Sequence, residues 1–242
     1  MFEFLKKIMN NEKTISTSNF SSIHRILKTE IKKEPNLQED EIIFGCGCFW
    51  GAEKCFWKLP GVITTSVGYA GGTKNNPTYY EVCSGITGHS EVVRVVWDKT
   101  KIDISDLLKM FWECHNPTQK NRQGNDIGTQ YRSAIYFINE NNKKIILASK
   151  EQYQKELDKK NLGLIETEIK MIDAYFYAED YHQQYLASPG SRQYCSASPT
   201  QVKLGDFIGS NYKLNDHIWD NFNWEIDKCV LRSDNKPIKN DI

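Results

Sequence analysis

From Ile42 to Ile138 the apolar residues fall into runs whose periods read, in order, strand, helix, strand, strand, helix, strand, and this order constrains the fold more than any other feature. Ile42, Ile43 and Phe44 make a short buried strand. From Gly51 onward Ala52, Cys55, Phe56 and Leu59 recur at helical spacing. Pro60 and Gly61 turn the chain, and Val62 to Tyr69 alternates as a strand. His89 to Trp97, dense in valine, is the most strand-like run of all, with Glu91 and Arg94 embedded in it. Ser105 is the expected cap of a helix through Leu107, Leu108, Phe111 and Trp112 that ends near His115, before Pro117. Arg132 to Ile138 reads as the next strand, followed by a charged helix from about Asn141 to Lys160 and a last strand from Leu164 to Ile172. The order is that of a split βαβ unit. The expected fold is therefore α+β: a ferredoxin-like sandwich whose mixed sheet is covered by helices.

A chain of 242 residues can bury a sizeable core, and the expected organisation is one domain with tails. Residues 1–37, rich in Lys, Ser, Thr and Asn, read as a flexible extension, 38–196 as the folded domain, and 197–242 as an irregular C-terminal tail. Basic and acidic residues balance at 31 each, so no nucleic-acid footprint is expected. No apolar run approaches the roughly 20 residues that cross a bilayer, so no membrane partner is expected either. Seven cysteines, an odd number, without a signal-peptide pattern, imply a reducing compartment. That is taken as the cytoplasm; a mitochondrial destination is the alternative, against which the four glutamates before Pro35 weigh. Cys46-Gly47-Cys48 with a distant Cys55 fits no usual zinc spacing, so no metal is expected. The chain is expected to be a monomer.

The chemically suggestive stretch is Phe44 to Glu53. It puts Cys48 at a strand-to-helix turn, where helix-start N–H groups and the dipole favour an anion and lower a thiol's pKa from about 8.5. Cys48 is thus a candidate thiolate nucleophile, though a lone cysteine reads equally well as a small buried hydrophobe. Phe49 and Trp50 suit the wall of a small apolar pocket beside the sulfur. Glu91 heads the valine-rich strand. Buried there it must be paired or protonated, and a neutral carboxyl is a proton donor; facing water or pairing with Arg94 is the plainer reading. Tyr79, Tyr80 and Tyr131 are ambiguous, because tyrosine often rims a core. The polar loop from Gln123 to Arg132 is too long for a mere connection, and Asp126 can either order it or meet a ligand. His89, His115 and His182 read as satisfied histidines.

Five segments together are similar to peptide methionine sulfoxide reductase A. They are Gly47-Cys48-Phe49-Trp50-Gly51, Gly68 to Gly72, Asn76 to Tyr79, Thr87 to Glu91, and Gln123 to Asp126 running on to Gln130-Tyr131-Arg132-Ser133; Tyr177 to Leu186 extends the match. The resemblance implies a thioredoxin-dependent reductase of the S epimer of methionine sulfoxide, in proteins and as the free amino acid, needing no cofactor. It implies Cys48 as nucleophile and Glu91 as proton donor, with Tyr79 and Tyr131 bonding the sulfoxide oxygen. Phe49 and Trp50 would hold the S-methyl group, Asp126 would be a polar pocket residue, and Cys195 would resolve the Cys48 sulfenic acid as a disulfide. Two departures stand out. Cys46 is not part of the family motif, and the segment after Cys195 lacks the glycine-rich run ending in another cysteine seen in many members. That leaves Cys229 and Cys46 as further candidates for a resolving thiol. A binding module for oxidised methionine and a general thiol-disulfide exchanger are the rival readings. The first has no need of nucleophile and acid together, and the second calls for C-x-x-C where this chain has C-x-C.

Overall fold

The computed structural model describes residues 22–226 and 229–240. Its main sheet is built from β1 (Glu39–Cys46), β2 (Val62–Ala70), β3 (Ser90–Asp98), β6 (Ser133–Phe137), β7 (Glu168–Met171) and β8 (Tyr175–Tyr177). Between these lie α1 (Phe49–Trp57), α2 (Tyr79–Cys83), α3 (Ile104–Cys114), the two-residue strands β4 (Arg122–Gln123) and β5 (Asp126–Ile127), and α4 (Lys143–Lys159). The sheet order is β7-β6-β1-β3-β2-β8. All neighbours are antiparallel except β6 and β7, which α4 joins as a parallel crossover. The sheet is therefore mixed and helix-covered, an α+β architecture.

The period of two along β1 divides its side chains cleanly. Ile42, Phe44 and Cys46 enter the main core, while Ile43 joins a smaller cluster with Ala70, Val92, Ala134 and Tyr136 on the other face. Phe44 stacks on Phe56 of α1 at 4.8 Å and on Phe111 of α3 at 5.1 Å, which fixes both helices on one face. The same alternation along β3 sends Val93, Val95 and Trp97 into that core and Val92 to the other face. Glu91 shares the parity of Val93. Arg94 does not, and on the opposite face it forms a buried pair with Glu41, its Nε donating at 2.6 Å. The expected Glu91 to Arg94 pairing is thus replaced by Arg94 with Glu41.

Residues 22–37, expected to be part of a flexible lead, are packed against the body. His24 and Ile31 are buried, His24 Nε2 meets Thr65 Oγ1 at 2.9 Å, and Thr29 donates to the Ile63 carbonyl at 2.6 Å. The rest of that lead, residues 1–21, lies outside the described residues. The C-terminal segment carries little regular structure beyond α5 (Asp216–Trp219) and α6 (Cys229–Arg232), yet Leu214, Ile218, Phe222, Trp224 and Val230 belong to the main core. No helix among the described residues is long and apolar enough to cross a membrane.

Candidate active site

The site gathers where β1 runs into α1. Gly47 has φ +87°, a backbone state that favours glycine, and a Cβ there would overlap Gln123. That turn makes Cys48 the residue that caps α1. Cys48 stands at the cap without a side-chain hydrogen bond to the helix, and the Phe49 N–H donates to Glu91 Oε2 at 3.1 Å. The first orphan amide of the helix start therefore serves the group that the sequence singled out as acid, one residue beyond the candidate nucleophile.

Their electrostatics differ from the local expectation. A helix start alone lowers a thiol's pKa, but burial pushes Cys48 well above its ordinary value, and the Glu91 and Asp126 charges and Cys195 push the same way. The Trp50 N–H opposes this and is outweighed. Glu91, 2% exposed, is pushed up to about 8 by burial, with the Asp126 charge adding and the Phe49 N–H pulling back. At pH 7 the pair is mostly thiol and carboxylic acid. A proton leaving Glu91 makes the Cys48 thiolate harder to form, because the two negative charges oppose each other.

Tyr79 starts α2 under a capping box made by Thr78 and Glu81, and its N–H donates to Glu179 Oε1 at 3.0 Å. Burial raises the pKa of Tyr79 and of Tyr131, and the Glu91 charge acts on both, so two neutral hydroxyls sit beside the acid. Phe49 is buried between Tyr69, 6.0 Å away, and His182, 5.1 Å away. Trp50 is half-buried. It stacks on Tyr185 at 3.9 Å, and its Nε1 donates to His182 Nδ1 at 3.1 Å. Both aromatics pack on the His182 ring.

Asp126 reaches across to the C-terminal segment. Tyr194 donates to its Oδ1 at 2.5 Å and Ser196 donates to its Oδ2, so one carboxylate holds both neighbours of Cys195. Cys195 is buried, and its Sγ lies 2.7 Å from where a Cβ on Gly51 would stand. Cys195 is close enough to act electrostatically on Cys48. Cys229 opens α6, and its side chain lies outside what is described.

Sequence reasoning missed three contributors. His182, read as satisfied, is held neutral by burial, with a pKa near 4; it accepts from Trp50, and its buried Nε2 finds no hydrogen-bond partner among the described residues. Glu179 accepts from both the Tyr79 N–H and the Tyr69 hydroxyl. Glu53, fully buried in α1, accepts from the Gln184 backbone and side chain and from Thr65, pinning the loop that carries His182 and Tyr185. The available signal was the density of polar residues from Glu179 to Gln184 after a strand. His89 and His115 are satisfied, through Gly72 and Lys74 and through Phe111 and Ser133.

One group of side chains among the described residues approaches metal-ligand spacing: the ligand atoms of Cys46, Cys114 and His115 lie within 4.8 Å of one another. Both His115 ring nitrogens are already engaged, at 2.7 Å each.

A family model described as peptide methionine sulfoxide reductase matches residues 40–213. Peptide methionine sulfoxide reductase MsrA of Azotobacter vinelandii is 58% identical over 165 residues, covering 68% of this chain and 76% of that protein. The protein of the same name from Vibrio vulnificus is 52% identical over 180 residues, covering 74% and 86%. Methionine sulfoxide reductase A of Corynebacterium diphtheriae superposes with a TM-score of 0.64 at 40% identity, covering 80% of this chain and 96% of that one. Reduced Mxr1 from Saccharomyces cerevisiae does so with a TM-score of 0.61 at 30% identity, over 72% and 96%. With a matched span that contains every element of the site just described, the chain belongs to the peptide methionine sulfoxide reductase family.

Proposed function

We propose that the chain reduces the S epimer of methionine sulfoxide, in proteins and as the free amino acid, with Cys48 as nucleophile, Glu91 as acid and thioredoxin as the final reductant. The observation that carries this reading is that Cys48 caps α1 while the next residue's N–H donates to the buried Glu91 carboxyl, with Tyr79 and Tyr131 within electrostatic reach of that acid. A sulfoxide oxygen leaves only when protonated, and its sulfur is met best by a soft nucleophile. Glu91 gives its proton to the oxygen as the Cys48 sulfur attacks, and the thiol proton returns to Glu91. The hydroxyl passes to Cys48 as a sulfenic acid and methionine departs. Tyr79 and Tyr131 hydroxyls bond the oxygen while it gains charge, and Phe49 and Trp50 enclose the methyl group.

Cys195 then attacks the Cys48 sulfur, the hydroxyl leaves as water, and a disulfide remains for thioredoxin to open by exchange. Asp126 supports this step by holding Tyr194 and Ser196 on either side of Cys195. The reading takes residues 38–196 as the reductase body, acting as a monomer in the cytoplasm, where cysteines are kept reduced. It needs no cofactor, because sulfur and two protonatable groups supply all the chemistry. The β1-α1-β2 and β3-α3-β6 halves, with β3 between β1 and β2, support classing the core as a ferredoxin-like split βαβ unit. Thioredoxin-dependent reduction of the two epimers of a methionine sulfoxide peptide, resolved separately, tests the function. Turnover of the S epimer alone is expected, and turnover of the R epimer alone overturns it.

A further inference from the structure

Five of the cysteines line one cavity. Cys46 reaches it from the end of β1, Cys48 and Cys55 from α1, Cys114 from the end of α3, and Cys195 from the C-terminal segment. The cavity measures about 10 Å³, room for a single water at most, so the sulfurs are packed against one another rather than around a ligand. Cys114 is the hub. Its Sγ is within 4.8 Å of the Cys46 sulfur, and Cys55 and Cys195 line the same cavity. Trp224 and Val230 complete the wall, so the C-terminal segment closes the cavity from outside.

The reading of Cys48 and Cys195 given above uses two of these thiols and leaves three. A metal is a poor occupant of the remaining group, because His115 already donates to or accepts from Phe111 and Ser133 through both ring nitrogens. Substrate cannot enter a space this small. What adjacent thiols can do without an occupant is exchange electrons with a neighbouring disulfide.

Resting on that reading, we propose that Cys46 and Cys114 form a buried dithiol store that re-reduces the Cys48 to Cys195 disulfide from within, so that one chain takes up two oxidising equivalents before it meets thioredoxin. The steps balance. Burial holds the Cys114 thiol well above its ordinary value, so it gives up its proton as it attacks Cys195 Sγ; the Cys48 to Cys195 bond breaks and Cys48 leaves as a thiolate that takes up that proton. Cys46 then attacks Cys114 Sγ, the Cys114 to Cys195 bond breaks, and Cys195 leaves with the proton from Cys46. Two electrons have passed from Cys46 and Cys114 to Cys48 and Cys195, and the store is now a Cys46 to Cys114 disulfide. A second sulfoxide can then be reduced. Because Trp224 and Val230 cover the cavity, the store is recharged by the reverse exchange through Cys195 rather than by direct attack from outside.

The test is a burst measurement on the fully reduced, full-length protein, given excess methionine sulfoxide and no reductant. Wild type is expected to release two equivalents of methionine per chain, and mass mapping is expected to find Cys46 bridged to Cys114 as well as Cys48 to Cys195. Cys114→Ala and Cys46→Ala should each release one equivalent, and that first equivalent reports that the variant is folded. Cys55→Ala should still release two. If Cys114→Ala does not fold, Cys46→Ala and the wild-type map decide. A single equivalent from wild type overturns the store, as do two equivalents accompanied by a Cys195 to Cys229 bridge. So does a second equivalent lost in Cys55→Ala and kept in Cys46→Ala. Stoichiometric zinc in the isolated protein, released by a thiol-blocking reagent, also overturns it. No release at all from wild type overturns the assignment of Cys48 itself, a failure distinct from the others.

Discussion

The Phe49 N–H donates to Glu91 Oε2 across 3.1 Å, so the residue after the nucleophile holds the acid by its backbone. The donor is backbone and the acceptor is the side-chain oxygen at position 91, so the bond persists only where a replacement keeps that oxygen. Glu91→Gln keeps the acceptor oxygen, the shape and that bond, and loses the transferable proton. Its rate should fall roughly 100- to 10,000-fold while substrate affinity changes little. Glu91 is pushed up to about 8 by burial, so kcat/KM of wild type should decline as pH rises through that value and the acid ionises. The variant should lack this decline. Its Cys48 thiol should also titrate at lower pH, because the carboxylate charge that opposes the thiolate is gone. Alkylation rate against pH reads the second effect, and an unaltered pair of profiles removes Glu91 from the role.

Cys195→Ser should still convert one sulfoxide and stop. The nucleophile and acid are untouched, so one equivalent of methionine is released and Cys48 remains a sulfenic acid. Thioredoxin-supported turnover should be lost and a small thiol reductant should restore part of it. Trapping the sulfenic acid with a dimedone-type reagent at Cys48 checks the intermediate. Undiminished thioredoxin turnover moves the resolving role elsewhere.

Gly51→Ala places a methyl group 2.7 Å from Cys195 Sγ and 3.3 Å from its Cβ. Alanine suits the helix, so α1 should persist, and the thiol must swing away. The expected result is a folded enzyme with an undiminished first equivalent and a slower formation of the Cys48 to Cys195 bridge. Stopped-flow thiol quantification after one turnover separates the two steps. A bridge that forms at the wild-type rate places Cys195 elsewhere.

Glu53→Gln bears on stability. The Glu53 carboxyl is pushed up to about 7 by burial, the Gln184 and Thr65 donors pulling it back. Between about 4.5 and 7 the folded chain therefore binds this proton and the unfolded chain does not, so the Glu53 contribution makes stability fall as pH rises through that window. Glutamine removes the slope. It also turns an N–H toward the Gln184 N–H, a loss of about 1–3 kcal/mol at pH 7. Melting temperature against pH should show a lower and flatter curve from 4.5 to 7, and an unchanged slope assigns the titration to another group.

How much of this was legible in the sequence depends on range. The strand, turn and helix around Cys48 could be read because Ile42 to Leu59 declares its periods locally; the helix at Ile104 could be read too, but its cap is Asp103, which accepts from the Ser105 N–H, and not the expected Ser105. β8 was not expected, since three residues after Asp173 and Ala174 have no alternation to show; it exists because Gly68 to Ala70 offered an edge. The upward direction of the Cys48 pKa is hidden for a related reason. The helix start is written next to Cys48, whereas burial, the largest cause, and the Glu91 and Asp126 charges come only once the fold, with β3 and the β4 to β5 turn, closes around it. Asp126 itself was ambiguous until Tyr194 and Ser196 stood beside it. No spacing rule brings Cys46, Cys55 and Cys114 together, because each lies on a different element or a different turn of one.

The distance along the chain between Cys48 and Cys195 has a mechanical consequence. A bond between them closes a ring of roughly 150 residues that takes in every strand from β2 to β8 and both covering helices after α1. Chain-entropy reasoning gives such a ring about 5 kcal/mol of resistance to unfolding. If Cys48 pairs with Cys195 as proposed, the enzyme is stapled shut in the half of its cycle in which it has just met an oxidant, and unstapled when it returns to the reduced state in which it waits for substrate. Oxidising conditions, which threaten other folds, would then find this one at its firmest.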